Sequence, residues 1–267
     1  MTDASSDLVL LDVAAPGVGV ITLNKPDRLN AWSAAMAAAF FARLEEARTR
    51  DDVRVVVVTG SGRGFCPGAD MDALEQIRAN PSAGAGAATG AGRFSDMLAY
   101  PKPIIAAVNG AVAGVGLVMA LFCDLRFAAS GVKFTTAFSR RGLIAEYGAS
   151  WALPRLIGNA RALDLLLSGR VFTAEEAERL GVVNGVVAPE ELMPHVIAYA
   201  QDLAENCCPT SWAVMKKQVY GDWENDADAA TTTAIRLMNE SLVRDDFQEG
   251  VQSYLDKRAP KFSPYRG

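Results

Sequence analysis

The sequence predicts an α/β fold with a helical C-terminal extension, and three observations carry that prediction. Short aliphatic runs recur at 55–59, 104–108 and 125–128, accompanied by glycine turns and helical segments. Unbroken runs of this kind belong to strands buried on both faces of a mostly parallel sheet. After Ser150 helical spacing takes over, at 160–167, 173–180, 189–206, 211–220, 227–244 and 247–257, with one strand-like stretch at 182–187. The composition fits a globular chain: 267 residues, 50% apolar and 21% charged, enough for a large core and unlike disordered or collagenous sequence.

Taken in order, residues 8–13 and 17–23 read as a hairpin turning at Pro16-Gly17. Ser33 is placed to cap a helix reaching Arg50, because Met36, Phe40, Leu44 and Ala47 fall on one helical face. The uncharged run 103–123 is long enough to test as a membrane span. Asn109, Gly110, Gly114 and Gly116 interrupt it, so it reads as a strand, a glycine turn and a buried helix. Residues 80–92 are rich in Ala, Gly and Ser and read as a surface loop. The division expected is 1–200 for the core with the site and 201–267 for the helical extension. No repeat of fixed period is visible.

Charge and cysteines narrow the function classes. The balance is 26 basic against 31 acidic residues, with no dense cationic cluster to follow a phosphodiester backbone, so nucleic acid is not expected as a partner. Cys66, Cys123, Cys207 and Cys208 suit neither a disulfide scaffold nor zinc spacing. Residues 1–7 carry two acids and no apolar run, unlike a secretory leader, so a cytoplasmic chain without a membrane segment is expected. The glycine clusters at 60–64 and 114–116 lack the third glycine of a dinucleotide fingerprint, and no Walker-type lysine follows either. His195 is the one histidine, too little for a histidine-based triad or a metal site.

Two glycine turns remain, each after an apolar strand and before a helix: Phe65-Cys66-Pro67-Gly68-Ala69-Asp70-Met71, and Asn109-Gly110 through Gly114-Val115-Gly116. Both expose backbone N–H groups at a helix start, which suits a developing oxyanion, although either turn taken alone reads first as a plain tight turn. Asp70 and Asp124 beside them read as helix-start or packing carboxylates.

The pair of turns, with Lys25-Pro26-Asp27-Arg28-Leu29-Asn30-Ala31, Pro101-Lys102-Pro103 through Cys123-Asp124-Leu125, and Lys257-Arg258-Ala259-Pro260-Lys261-Phe262, resembles the crotonase superfamily of enoyl-CoA hydratases and isomerases. The resemblance covers nearly the whole chain. It implies a crotonase-like ββα superhelix (spiral) core, a C-terminal helical trimerisation region, homotrimers or homohexamers, and acyl-CoA substrates. No cofactor is implied, because coenzyme A is part of the substrate. The oxyanion donors map onto the N–H groups of Ala69 and Val115. Substrate contacts map onto Arg28, Leu29, Ala31, Pro67, Asp70, Met71, Gly114 and Phe138, with Arg28, Lys257 and Lys261 as candidates for the CoA phosphates.

The acid/base residues depart from the hydratase pattern. The two glutamates of hydratases fall at Val118 and Phe138, neither of which moves a proton. A carboxylate stands instead at Glu146, where the isomerase-like branches carry theirs. One carboxylate suffices for a double-bond shift, taking a proton from the α-carbon and returning it at the γ-carbon. The expected activity is therefore an enoyl-CoA isomerase with Glu146 as base. The rivals are a 2-enoyl-CoA hydratase and a CoA-thioester-binding protein without catalysis. Against a catalytic Glu146 stands the plainer alternative that it caps a helix or pairs with Arg140 or Arg141.

Overall fold

Strands β1 (Val9–Ala15) and β2 (Gly17–Leu23) pair antiparallel with Val9 opposite Leu23, forming the hairpin expected from the Pro16-Gly17 turn. Helix α1 (Ala34–Thr49) starts where Ser33 Oγ accepts the Met36 N–H. Its buried stripe, Met36, Phe40, Leu44 and Ala47, packs on that hairpin, so cap and spacing together explain the helix. The computed structural model describes residues 8–80 and 92–265. The loop expected at 80–92 therefore falls, over 81–91, outside the described residues.

The core is a spiral. Strands β3 (Val53–Gly60) and β4 (Gly64–Cys66) lead to α2 (Met71–Ala79). Next, β5 (Ile104–Val108) and β6 (Ala111–Ala113) lead to α3 (Val115–Leu121). Then β7 (Leu125–Ala129) and β8 (Lys133–Thr135) lead to a 3-10 turn at Ser139–Arg141. Two further strands are β9 (Phe172–Thr173) and β10 (Gly185–Val187). The first strand of each pair enters a sheet ordered β1-β2-β3-β5-β7-β10, and the second a smaller sheet ordered β4-β6-β8-β9. Helices α4 (Ala149–Ile157), α5 (Asn159–Ser168), α6 (Ala174–Leu180), α7 (Leu192–Asn206), α8 (Pro209–Gly221), α9 (Ala227–Leu242) and α10 (Asp245–Leu255) complete the described chain. No helix among the described residues is long and apolar enough to cross a membrane.

Where structure and sequence reading differ, the reasons are local. The smaller sheet escapes the reading because its strands hold only two or three residues, too few for a period. Helix α4 is hidden by its breakers, Gly148 before it, Pro154 within it and Gly158 after it. The strand expected at 182–187 shortens to Gly185–Val187, because Val182 and Val183 donate their N–H groups to the Ala177 carbonyl at the end of α6. The helix expected to reach residue 244 stops at Leu242, and α10 starts two residues before the expected 247.

Asp124 takes the packing role. Its carboxylate accepts the Ile104 N–H (2.7 Å), the Tyr220 hydroxyl (2.9 Å) and Lys216 Nζ (2.7 Å). Lys216 also reaches the Met97 and Lys102 carbonyls, so this half-hidden network ties α8 to the start of β5. Charge removed from water needs such partners, and removing one is more damaging than replacing both.

Helix α3 is buried along its whole length, and Gly116 makes that possible. A Cβ at residue 116 would stand 2.3 Å from the Cys66 carbonyl oxygen and 2.6 Å from Cys66 Cβ. Gly116→Ala is therefore expected to push α3 off β4 and to cost about 3 kcal/mol, the upper range for an overpacked core. A urea unfolding midpoint close to that of the unmodified chain would show that α3 has room to spare.

Candidate functional site

Strands β4 and β6 lie side by side and parallel, with Gly64 against Ala111 and Cys66 against Val112. The same number of residues separates Ala69 from Val115 as separates Cys66 from Val112. Register alone thus carries the two glycine turns out of the small sheet in step. Gly68 (φ 113°) and Gly114 (φ 49°) both adopt conformations closed to most side chains. A Cβ at Gly114 would lie 4.0 Å from Gly68 Cα and 3.8 Å from Phe138 Cε1, so the turns nearly touch and the Phe138 ring closes over them.

The two central N–H groups are left unused. Trp32 N–H donates to the Gly68 carbonyl (2.8 Å), and Asp70 N–H donates to the Trp32 carbonyl (2.9 Å), which holds Ala69 between two fixed bonds. On the other turn, Gly114 N–H donates to Thr135 (3.1 Å), and the Gly114 carbonyl accepts Val118 N–H (3.0 Å). Neither Ala69 N–H nor Val115 N–H meets an acceptor among the described residues. Ala69 is exposed and Gly114 half-buried, whereas Val115 itself is 4% exposed, so the two donors sit at the rim of the core. Two fixed backbone donors in adjacent turns, with no acceptor among the described residues, have the chemistry that stabilising a developing oxyanion requires.

Apolar side chains crowd one side of this pair: Val118 in α3 is 1% exposed and Phe138 4%. Asp70 is engaged elsewhere. Its carboxylate caps α2 by accepting the Asp72 N–H (3.1 Å) and pairs with Lys25 (2.9 Å), whose ammonium holds it below the usual carboxylate range. Asn30, fully buried, accepts the Lys25 N–H and donates to the Ser61 and Gly64 carbonyls, which stitches segment 25–31 to β4. Arg28 is exposed and pairs at 3.4 Å with the equally exposed Asp72. Leu29, Ala31, Pro67 and Met71 flank the Ala69 turn on these two segments; Met71 is exposed and Ala31 buried.

Lys257 and Lys261 stand apart, exposed on the tail after α10. No hydrogen bond or ion pair joins either side chain to the other site residues among those described. The Lys261 N–H donates to Glu249, whose carboxylate also binds Arg258.

Glu146 sits in the turn before α4, its carbonyl accepting the Ala149 N–H (2.9 Å). Its carboxylate is half-buried and has no hydrogen bond or ion pair among the described residues, and burial raises its pKa. Among the described residues neither Arg140 nor Arg141 pairs with it, and Arg140 Nε donates to the Ser168 carbonyl. Tyr147 follows with φ 53°, a conformation that is strained for a bulky residue, at about 1–3 kcal/mol.

Aromatic rings connect this turn to the Ala69 turn. The Tyr147 ring lies 6.0 Å from Phe94, and Phe94 lies 5.5 Å from Trp32, whose backbone brackets Ala69. The sequence reading missed Trp32, Phe94 and Tyr147. Trp32 and Tyr147 directly follow Ala31 and Glu146, an adjacency that was available as a signal. Phe94 had none, since only the fold brings it near.

Comparison with known proteins agrees with this fold. The family model described as enoyl-CoA hydratase/isomerase matches residues 14–264. A Rhodobacter capsulatus protein named a probable enoyl-CoA hydratase is 37% identical, covering 92% of this chain and 95% of the relative. The 1,2-epoxyphenylacetyl-CoA isomerase of Escherichia coli is 35% identical, covering 95% and 98%. Among solved structures, an enoyl-CoA hydratase from Polaromonas sp. JS666 superposes with a TM-score of 0.88 at 29% identity, covering 95% of this chain and 99% of that one. An enoyl-CoA hydratase from Mycobacterium marinum reaches 50% identity over 81% of this chain and 98% of its own, with a TM-score of 0.69. Motifs, spiral fold and nearly full-length similarity thus converge on one conclusion: this chain is an enzyme of the enoyl-CoA hydratase/isomerase family, within the crotonase superfamily.

Proposed function

We propose that the chain shifts a carbon–carbon double bond in an enoyl-CoA thioester, with Glu146 as its single acid/base. The observation that supports this reading is one half-buried, unpaired carboxylate in a site where Val118 and Phe138 are apolar. In a 3-enoyl-CoA, Glu146 takes a proton from the α-carbon and the electron pair moves into the thioester carbonyl. The N–H groups of Ala69 and Val115 stabilise the resulting dienolate oxygen. Glu146 then returns the proton at the γ-carbon, giving the conjugated 2-enoyl-CoA. No water is consumed, and no cofactor enters beyond the coenzyme A of the substrate.

Hydration of a 2-enoyl-CoA is the second reading, and the names of several relatives favour it. It needs a group to hold and deprotonate water as well as a proton donor, and Glu146 alone would have to serve both steps. A screen of 3-enoyl and 2-enoyl thioesters tests the two together. Growth of conjugated-thioester absorbance from 3-enoyl substrates supports isomerisation, whereas a mass gain of one water from 2-enoyl substrates without it replaces that reading.

Arg28, Lys257 and Lys261 are proposed to meet the CoA phosphates, each exposed contact contributing about 1 kcal/mol. The cytoplasm is the proposed compartment, where free thiols such as the buried Cys66 and Cys123 persist. The helical extension is proposed to assemble the chain as a trimer or hexamer. No residue of helix α9 is fully buried, and the helix carries Ile235, Met238 and Leu242, to which α10 adds Val251, Tyr254 and Leu255, all exposed. Exposed apolar side chains in this number on two consecutive helices favour self-association. Light scattering is expected to give a trimer or hexamer at micromolar concentration, and a stable monomer would refute the assembly.

A further inference from the structure

Tyr147 belongs to neither the proton transfer nor the thioester cradle, yet several features meet on it. It directly follows Glu146 and holds a left-handed backbone (φ 53°) that glycine adopts far more easily than tyrosine. Its ring packs on Phe94, tilted by 57°, but stays 44% exposed, whereas Phe94 is 5% and Trp32 7% exposed. Its hydroxyl meets no hydrogen-bond partner among the described residues. The aromatic line from the Ala69 turn therefore ends, beside the base, in an open ring.

Trp32 and Phe94 are covered, so of the three rings only Tyr147 is open to a substrate that reaches Glu146. On the proposed function, the thioester oxygen lies between the Ala69 and Val115 N–H groups while the α- and γ-carbons reach Glu146, which brings the acyl group past the residue next to that base. We propose that Tyr147 is a specificity-determining residue, its open ring forming the wall that favours thioesters with a flat aryl acyl group over saturated chains of equal carbon number. Offset or edge contacts between aromatic rings add to ordinary apolar burial, which sets the expected preference at about tenfold. Burial and the neighbouring Glu146 charge both push the phenol pKa up, so the ring stays neutral at physiological pH.

This inference rests on the reading of the site as an acyl-CoA site, but not on the choice between isomerisation and hydration. The test uses unreactive ligands, 3-phenylpropanoyl-CoA and nonanoyl-CoA, titrated calorimetrically against the full chain. Tyr147→Leu keeps bulk and loses the π-face, whereas Tyr147→Phe keeps the ring. The ratio of aryl to alkyl affinity is expected to fall about tenfold in the leucine variant and to hold in the phenylalanine variant. Should the leucine variant not fold, Tyr147→Ala decides by the same ratio. A ratio within twofold of the unmodified chain after loss of the ring, or an equal fall in the phenylalanine variant, overturns the role of Tyr147 alone. Binding of neither thioester by the unmodified chain overturns the acyl-CoA site and the role of Tyr147 together.

Discussion

Glu146→Gln is expected to lower the rate of 3-enoyl to 2-enoyl conversion by about 100- to 10,000-fold, the usual contribution of general acid/base catalysis, with thioester affinity nearly unchanged. The substitution keeps size and hydrogen-bonding capacity and removes only the ability to take and return a proton. Because no other side chain pairs with the Glu146 carboxylate among the described residues, the exchange breaks no ion pair and should leave the fold intact. The pH dependence carries a second signature. Burial raises the Glu146 pKa above its ordinary 4.5, and the base acts only when ionised. kcat/KM should therefore fall as pH drops through a value above 4.5, and that limb should vanish in the glutamine variant. Stability runs the opposite way. A raised pKa means the folded chain holds this proton more tightly than the unfolded one, so the contribution is largest in acid and is lost as pH rises through the folded value. Solvent deuterium should enter the product slowly if Val118 and Phe138 keep water from the carboxylate. Near-normal turnover by the glutamine variant would remove Glu146 from the mechanism.

Val115→Pro is expected to cost about 100- to 1,000-fold in kcat, the effect of deleting one oxyanion donor. Val115 is the first residue of α3, and proline is well tolerated at a first helical position because that N–H has no helical acceptor. The preceding Gly114, at φ 49° and ψ −123°, lies outside the helical region that a following proline disfavours. The variant thus removes the donor while leaving the α3 hydrogen bonds in place. Its loss should appear in kcat more than in substrate affinity, because the bond strengthens as charge develops on the oxygen. Retained kcat in a folded proline variant would show that Val115 N–H does not face the oxyanion.

Much of this was legible in the residues themselves. The runs at β3, β5 and β7 announce strands because a continuous aliphatic stretch of that length has no other inexpensive place than a doubly covered sheet. Ser33 and the stripe from Met36 to Ala47 define α1 by local hydrogen bonding and periodicity, both short-range properties. The two glycine turns and Glu146 were visible as motifs, and Asp70 and Asp124 as structural carboxylates.

Local sequence did not carry whatever depends on register and distant partners. Strands of two or three residues have no period, so only the folded chain shows that β4 and β6 adjoin and hold Ala69 beside Val115. Partner choice is likewise non-local: Asp124 is satisfied by Lys216 and Tyr220, more than ninety residues away in sequence, whereas Glu146 pairs with no described residue although two arginines stand five and six positions before it. The aromatic line joining Trp32, Phe94 and Tyr147 draws on three separate segments, and no spacing rule links them. Thus the sequence by itself determined the elements and the chemistry on offer, because propensity, capping and periodicity act within a few residues. Which backbone donors come to adjoin, and which carboxylate has no partner among the described residues, was decided only by tertiary packing, since those relations exist only once distant segments share a surface.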